Sequence, residues 1–268
     1  MTSVITISSI RGGVGKSSLA LELALHLTTK GKVLLIDTDF YAPTLFHEIN
    51  SRQNEQLEKP KAYFRDVLRD ICSVEESCVR VSSTLEVIFS DPRVNLWELS
   101  KDVGTKNFWI DDDPTKASPT EIGLAKLKEF VEKHSFEFLI FDTMAGLAYP
   151  VVFFCYISNH PIFLARPSLP QIKDVIGFIN LIGNKDRPMN FIWSNVPNTN
   201  DYMREIRKKL ENVVGEKCGD RAKSLGFIPR DPKFEEHALL GTLTMIPGKL
   251  NSSYNKNLVN IGQKLIKR

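Results

Sequence analysis

Short apolar runs alternate along this chain with stretches in which apolar residues recur every three or four positions, a pattern that predicts strands and helices in turn. Val4-Ile5-Thr6-Ile7 predicts a first strand, and Leu19, Ala20, Leu23, Ala24 and Leu27 predict a helix that Gly31 ends. Further strands are expected at 32–36, 85–89, 138–143, 161–165, 190–195 and 224–229. Further helices are expected around Tyr63, Val67, Leu68 and Ile71, and at 122–131, 171–181, 202–214 and 258–266. Such repetition predicts an α/β fold, a doubly wound and mostly parallel sheet with helices on both faces. Residues 51–61 are polar and expected at the surface. Residues 91–119 are the least legible and read as a loop with one short helical piece. No linker or internal repeat divides the chain, so residues 1–268 are expected to form one domain.

Composition changes this picture little, and charge changes it more. The 268 residues are 42% hydrophobic and 25% charged, with a net charge of +3. Residues 1–165 hold 17 Lys/Arg against 22 Asp/Glu, whereas residues 166–268 hold 18 against 10, so the C-terminal part is basic. The four cysteines are scattered without a C-x-x-C, as expected of a reduced intracellular protein. The apolar stretch 149–165 is broken by Ser158-Asn159-His160-Pro161 and is not expected to span a bilayer. The expectation is a soluble, cytoplasmic protein.

Between the first strand and the first helix stands Arg11-Gly12-Gly13-Val14-Gly15-Lys16-Ser17-Ser18. Strand, glycine-rich turn and helix together suit a phosphate-binding loop. Glycines let successive N–H groups converge on a phosphate, and the helix adds its unpaired first-turn N–H groups and dipole. Lys16 would reach the β- and γ-phosphates, and the Ser17 hydroxyl would bind Mg²⁺. The usual loop begins with glycine five residues before its last one; here that position is Ile10. The alternative is a glycine turn with no ligand. Two further strands end in acids, Asp37-Thr38-Asp39 and Asp142-Thr143, at the edge where open α/β sheets bind ligands. Asp37 and Asp39, alternate residues of an extended segment, are expected to share a face toward the phosphates. Asp142 sits where a Mg²⁺-binding acid belongs. Taken singly, each aspartate could instead cap a helix or form a turn. Asp111-Asp112-Asp113 reads as a solvated acidic turn without cation-loop spacing.

These blocks resemble the ParA/MinD family of deviant Walker A, P-loop ATPases, with Arg11 in place of the signature lysine. Val33-Leu34-Leu35-Ile36-Asp37-Thr38-Asp39 is similar to the family's switch I, and Phe138 through Gly146 to its switch II, with Met144 where proline is usual. Ser194-Asn195 and Gly226-Phe227-Ile228-Pro229-Arg230-Asp231-Pro232 resemble its adenine-contacting blocks, and the blocks follow family order along the chain. The resemblance implies an ATP hydrolase using ATP and Mg²⁺. Ser17, Asp37 and Asp142 would hold the metal, and Gly12, Gly13, Val14, Gly15, Lys16, Ser17 and Ser18 the phosphates. Gly146 would sense the γ-phosphate, and Asn195, Pro229 and Asp231 would border the base. Lys16 and Asp39 would serve catalysis, Asp39 by positioning or activating water. Arg11 would cross to the partner's nucleotide in an ATP-sandwich homodimer.

The resemblance leaves the cellular role open. A ParA-like partition or positioning ATPase, associated with the nucleoid, would bind DNA without sequence preference. Arg204, Arg207, Lys208, Lys209, Lys217, Arg221 and Lys223 are candidate phosphate contacts, or simply the solvated face of a helix. A MinD-like membrane-associated ATPase would need an extra C-terminal amphipathic helix, and 258–266 reads instead as the fold's closing helix. An iron–sulfur carrier would need the absent C-x-x-C. A tyrosine kinase of the superfamily would end in a tyrosine cluster, whereas this chain ends Lys267-Arg268. In each ATPase reading an activating partner protein is expected. Trp97, Trp109 and Trp193 are expected to pack rather than to stack on bases.

Overall fold

The computed structural model describes residues 2–53, 56–93, 96–110, 116–197, 201–247 and 252–266. Eight strands form one sheet: β1 (Ser3–Ser9), β2 (Val33–Thr38), β3 (Cys78–Arg80), β4 (Leu85–Ile88), β5 (Phe138–Ala145), β6 (His160–Ala165), β7 (Met189–Val196) and β8 (Ala222–Pro229), in the order β3-β4-β2-β5-β1-β6-β7-β8. Every pairing is parallel except β3 with β4. All strands but β3 therefore deliver their carboxyl ends to one edge.

Alternation decides which face each side chain serves, and both faces are apolar. Val33 and Leu35 of β2 enter a core shared with the helices Lys16–Leu27 and Ser253–Ile266, whereas Leu34 and Ile36 enter another with the helix Pro119–Lys133. The helix Lys16–Leu27 is buried almost all round, which ties the glycine loop rigidly to the sheet. Leu258, Ile261 and Leu265 of the closing helix are buried in the same core. Helix Pro119–Lys133 starts on a capping box between Ser118 and Glu121. It crosses the helix Phe64–Leu68 at Gly123, where an added Cβ would lie 2.7 Å from Leu68 Cα and 2.9 Å from Val67 O. Gly123→Ala would gain helix propensity yet must force two backbones apart. It is expected to lower stability by roughly 1–3 kcal/mol in urea titration. An unchanged midpoint would show that the crossing has slack.

Several expectations need correction. Residues 51–61 are not uniformly exposed: Arg52 and Leu57 are buried, Arg52 on two glutamates and Leu57 in the core. The helix holding Tyr63-side residues stops at Leu68, and the positive φ of Asp70 turns Ile71 out to solvent. Among the described residues of 91–119 there are two short helices, Leu96–Leu99 and Lys106–Trp109, and Trp109 is fully buried. Its Nε1 donates to Val103 O at 2.7 Å and its ring meets Phe40, Phe108, Phe153 and Phe154. Trp193 is also buried, but Trp97 is 72% exposed, with the Lys101 ammonium above its ring. The turn Asp111-Asp112-Asp113 lies outside the described residues.

Candidate nucleotide site

The glycine loop leaves β1 at Ser9, whose hydroxyl donates to Arg11 O at 2.8 Å. Gly13 and Gly15 have φ of 68° and 95°, left-handed conformations that side chains disfavour. Gly15 is the N-cap of the helix Lys16–Leu27, so the helix's unpaired N–H groups open into the loop. Val14 turns its side chain into the core, leaving its backbone in the loop. Lys16 is mostly buried, and Ser17 hydrogen-bonds the Asp142 carboxylate.

Asp37 and Asp142 are register neighbours on β2 and β5, and each is 1% exposed. Asp37 Oδ1 accepts the Asp39 N–H at 2.9 Å, but Asp37 Oδ2 and Asp142 Oδ1 are buried without a hydrogen-bond partner. Burial, and then the Asp142 charge, push the Asp37 carboxyl well above the usual range. Burial raises Asp142 to about 7, against the Ser17 hydrogen bond and the Lys16 ammonium, which both lower it. Two orphaned carboxylate oxygens beside a serine hydroxyl form a hard oxygen donor set that suits Mg²⁺. Among the described residues no group of three or more His, Cys, Asp or Glu forms a metal site. Ser17, Asp37 and Asp142 would thus supply part of a shell that Mg²⁺ completes with water and phosphate oxygens.

Asp39 departs from expectation. β2 ends at Thr38, and the Asp39 carboxylate turns back to accept the Tyr41 and Ala42 N–H groups at 3.2 and 2.9 Å. Its charge still lies near enough to Asp37 and Asp142 to raise both. Gly146, with φ 111°, donates its N–H to Ser9 O at 2.9 Å and so ties the end of β5 to the loop.

On the other side of the loop a cleft of about 170 Å³ is bordered by Gly15, Ser18, Asn195, Pro229, Phe234 and Tyr254. Asn195 reaches it from a left-handed conformation (φ 52°) at an irregularity of the β7–β8 pairing. Asp231 also borders the cleft, but its carboxylate is committed elsewhere. Oδ1 accepts the Lys233 and Phe234 N–H groups, and Oδ2 accepts from the Ser253 hydroxyl and Tyr254 N–H. A larger cavity of about 680 Å³, lined by Leu124, Leu127, Val131, Leu139 and Phe141, is mainly apolar and lies apart from these groups.

Two arginines dock on the loop. Arg11, 51% exposed, pairs through Nε with Asp174 Oδ2 at 2.7 Å, and Arg166 donates to Gly13 O. Arg166 was missed from the sequence; its signal was a cation directly after β6, at the ligand-binding edge. Some of the basic residues of the C-terminal part are engaged within the chain. The Arg207 guanidinium lies 4.1 Å from the Phe227 ring, and Lys209 pairs with Glu205 at 2.8 Å. Lys208 and Lys217 are exposed, Arg221 and Lys223 are half-buried, and the Arg204 side chain lies outside the described residues.

The sequence relatives and solved structures agree with this fold. The family model of the CobQ/CobB/MinD/ParA nucleotide binding domain matches residues 5–243. The septum site-determining protein MinD of Escherichia coli is 26% identical over 191 residues, 70% of this chain and 61% of that protein. The chain's match thus spans less than two thirds of that relative. The cytosolic Fe-S cluster assembly factor CFD1 of Yarrowia lipolytica is 22% identical over 246 residues, 87% of this chain and 75% of that protein. A Borrelia burgdorferi structure described as a plasmid partition protein, bound to AMPPNP, has a TM-score of 0.73 at 22% identity, covering 100% of this chain and 99% of that one. Pyrococcus horikoshii MinD, complexed with Mg-ADP, has a TM-score of 0.67 at 19% identity, covering 100% and 97%. With the glycine loop, the paired acids and the parallel sheet in family order, this chain belongs to the CobQ/CobB/MinD/ParA nucleotide-binding family.

Proposed function

We propose that this chain is a Mg²⁺-dependent ATPase that switches between a monomer and an ATP-bound homodimer. The observation that carries the reading is the convergence, at one sheet edge, of the glycine loop and Lys16 with two buried carboxylates whose free oxygens lack partners. Lys16 would hold the phosphates, Ser17, Asp37 and Asp142 the metal, and Asn195 and Pro229 the base. Bound Mg²⁺ would neutralise charge on the β- and γ-phosphates. Gly146, tied to Ser9, would pass a change at the γ-phosphate into β5. Asp39 would turn toward water only after releasing the Tyr41 and Ala42 N–H groups. Related proteins bound to AMPPNP and to Mg-ADP support both cofactors.

Arg11 would bridge to the second nucleotide. Its ion pair with Asp174 is a half-exposed contact of the kind worth about 0.2–1 kcal/mol, so its release costs little beside a bidentate phosphate contact. Arg11→Ala is expected to bind ATP and yet remain monomeric in light scattering, where the wild type doubles its mass. A mutant that still dimerises with ATP removes Arg11 from this role.

For the surface on which such a switch acts, we favour non-specific DNA through Lys208, Lys209 and Lys217, in a cytoplasmic, nucleoid-associated protein. The membrane alternative has less to use. No described helix is long and apolar enough to cross a membrane, and the apolar face of the closing helix is spent on the core. The carrier alternative, to which the CFD1 likeness lends support, meets four free cysteines with no metal cluster among the described residues.

A further inference from the structure

Behind the site lies a buried charge, Arg52, whose side chain is 2% exposed. Its Nη1 contacts Glu22 Oε1, and its Nη2 contacts Glu48 Oε1 at 2.6 Å. Glu22 lies in the helix that begins with Lys16 and Ser17. Glu48 lies in the helix Leu45–Asn50, which directly follows the turn made by Asp39. Tyr254 is close enough to all three groups to feel their charges, and it stacks on Phe234 at 4.1 Å in the wall of the base cleft. One guanidinium thus joins the phosphate-loop helix to the segment behind Asp37 and Asp39, near the Tyr254 wall of the cleft.

Stability does not explain such a cluster. Two carboxyl groups share one guanidinium, and burial raises the Glu22 carboxyl despite Arg52. Buried ion clusters of this kind are commonly replaceable by apolar side chains at no loss of stability, so what they supply is directional placement. An apolar contact tolerates sliding between helices; two hydrogen-bonded ion pairs do not.

We infer that Arg52 is a positioning residue: by pairing with Glu22 and Glu48 it holds the Asp37–Asp39 segment in register with the phosphate-loop helix, and so sets the rate of the chemical step. This rests on the ATPase reading above. The hydrogen bonds of Arg52 go to Glu22 and Glu48 rather than to Lys16, Ser17, Asp37 or Asp142, so its influence passes through the two helices.

The test compares the full chain with Arg52→Lys and with the apolar triple variant Glu22→Leu/Glu48→Leu/Arg52→Met. Thermal unfolding, binding of a fluorescent ATP analogue, kcat and KM for ATP, and hydrogen exchange across residues 39–50 are measured on each. The triple variant is expected to melt at or above the wild-type temperature and to bind the analogue within about twofold. Its kcat should nevertheless fall roughly tenfold or more, since small misplacement of reacting groups is that costly. Exchange across residues 39–50 should quicken without nucleotide, and Arg52→Lys should fall between the two. A triple variant with unchanged kcat and unchanged exchange overturns the inference. Should that variant fail to fold, Glu48→Ala removes the acceptor that links Arg52 to the Asp39 segment, and unchanged kcat and exchange there overturn it equally. A wild type that neither binds nor hydrolyses ATP defeats the ATPase reading instead, while the exchange comparison still reports on Arg52.

Discussion

In Mg²⁺-free buffer Asp37→Asn is expected to be more stable than the wild type, by about 2 kcal/mol or roughly 4–8 °C in Tm. The wild type buries Asp37 Oδ2 and Asp142 Oδ1 without partners and sets the two carboxylates side by side on adjacent strands. Each must either be ionised in a place that disfavours charge or take up a proton to fit, and both cost stability. The amide keeps the acceptor for the Asp39 N–H and removes one of the two facing acids. Addition of Mg²⁺ and ATP should reverse the order. The wild type gains stability in proportion to the logarithm of ligand over Kd, whereas the variant, short of a metal ligand, loses the Mg²⁺-dependent part of that gain. Differential scanning fluorimetry over a Mg²⁺ titration at fixed ATP reads both halves. A variant less stable than wild type without Mg²⁺ would mean that the acids are compensated within the chain, and the metal reading would lose its basis.

Asp231→Ala is expected to be destabilising by about 3 kcal/mol and to weaken ATP binding as well. Asp231 is 6% exposed and accepts four hydrogen bonds, two at the start of the helix Pro232–Leu239 and two from Ser253 and Tyr254 at the start of Ser253–Ile266. Alanine removes both caps at once and leaves donors unpaired beside the Phe234–Tyr254 stack that walls the cleft. Asp231→Asn, which keeps one accepting oxygen, should lose about half as much. The pH dependence has a definite sign. Burial alone would raise the Asp231 carboxyl, but the Tyr254, Ser253 and Phe234 donors outweigh it and hold it below the usual range. A carboxylate depressed in the native state stabilises fully above its unfolded pKa of about 3.9 and loses that contribution as pH falls through the native value. Urea midpoints should therefore separate wild type from Asp231→Ala widely at neutral pH and converge in acid. Parallel curves down to pH 3 would argue that the caps work through shape alone.

Legibility in this chain followed the range of the interaction. β2 was readable because Val33, Leu34, Leu35 and Ile36 are all apolar and buried on both faces. The glycine loop was readable because each residue's task is local: positive φ at Gly13 and Gly15, a helix start at Lys16. β3 is three residues long and exists through its pairing with β4, so no local period announced it. Arg52 and Leu57 looked like surface because their neighbours are polar, and their partners lie on other elements. Asp39 looked extended because strand periodicity was continued one residue too far; the hydrogen bonds to Tyr41 and Ala42 bend it into a turn.

By itself the sequence determined the order of the longer strands and helices, the conformational demands of the glycine loop, and the supply of acids at strand ends, since backbone propensity and burial period act over a few residues. Only the tertiary structure decided which acids meet. Asp37 and Asp142 are far apart in the chain and adjacent in register because β5 inserts between β2 and β1. It likewise decided that Arg11 rests on Asp174 and that Asp231 is committed to two helix caps. These are pairings between distant segments, set by how the helices pack across the sheet, and no local pattern encodes them.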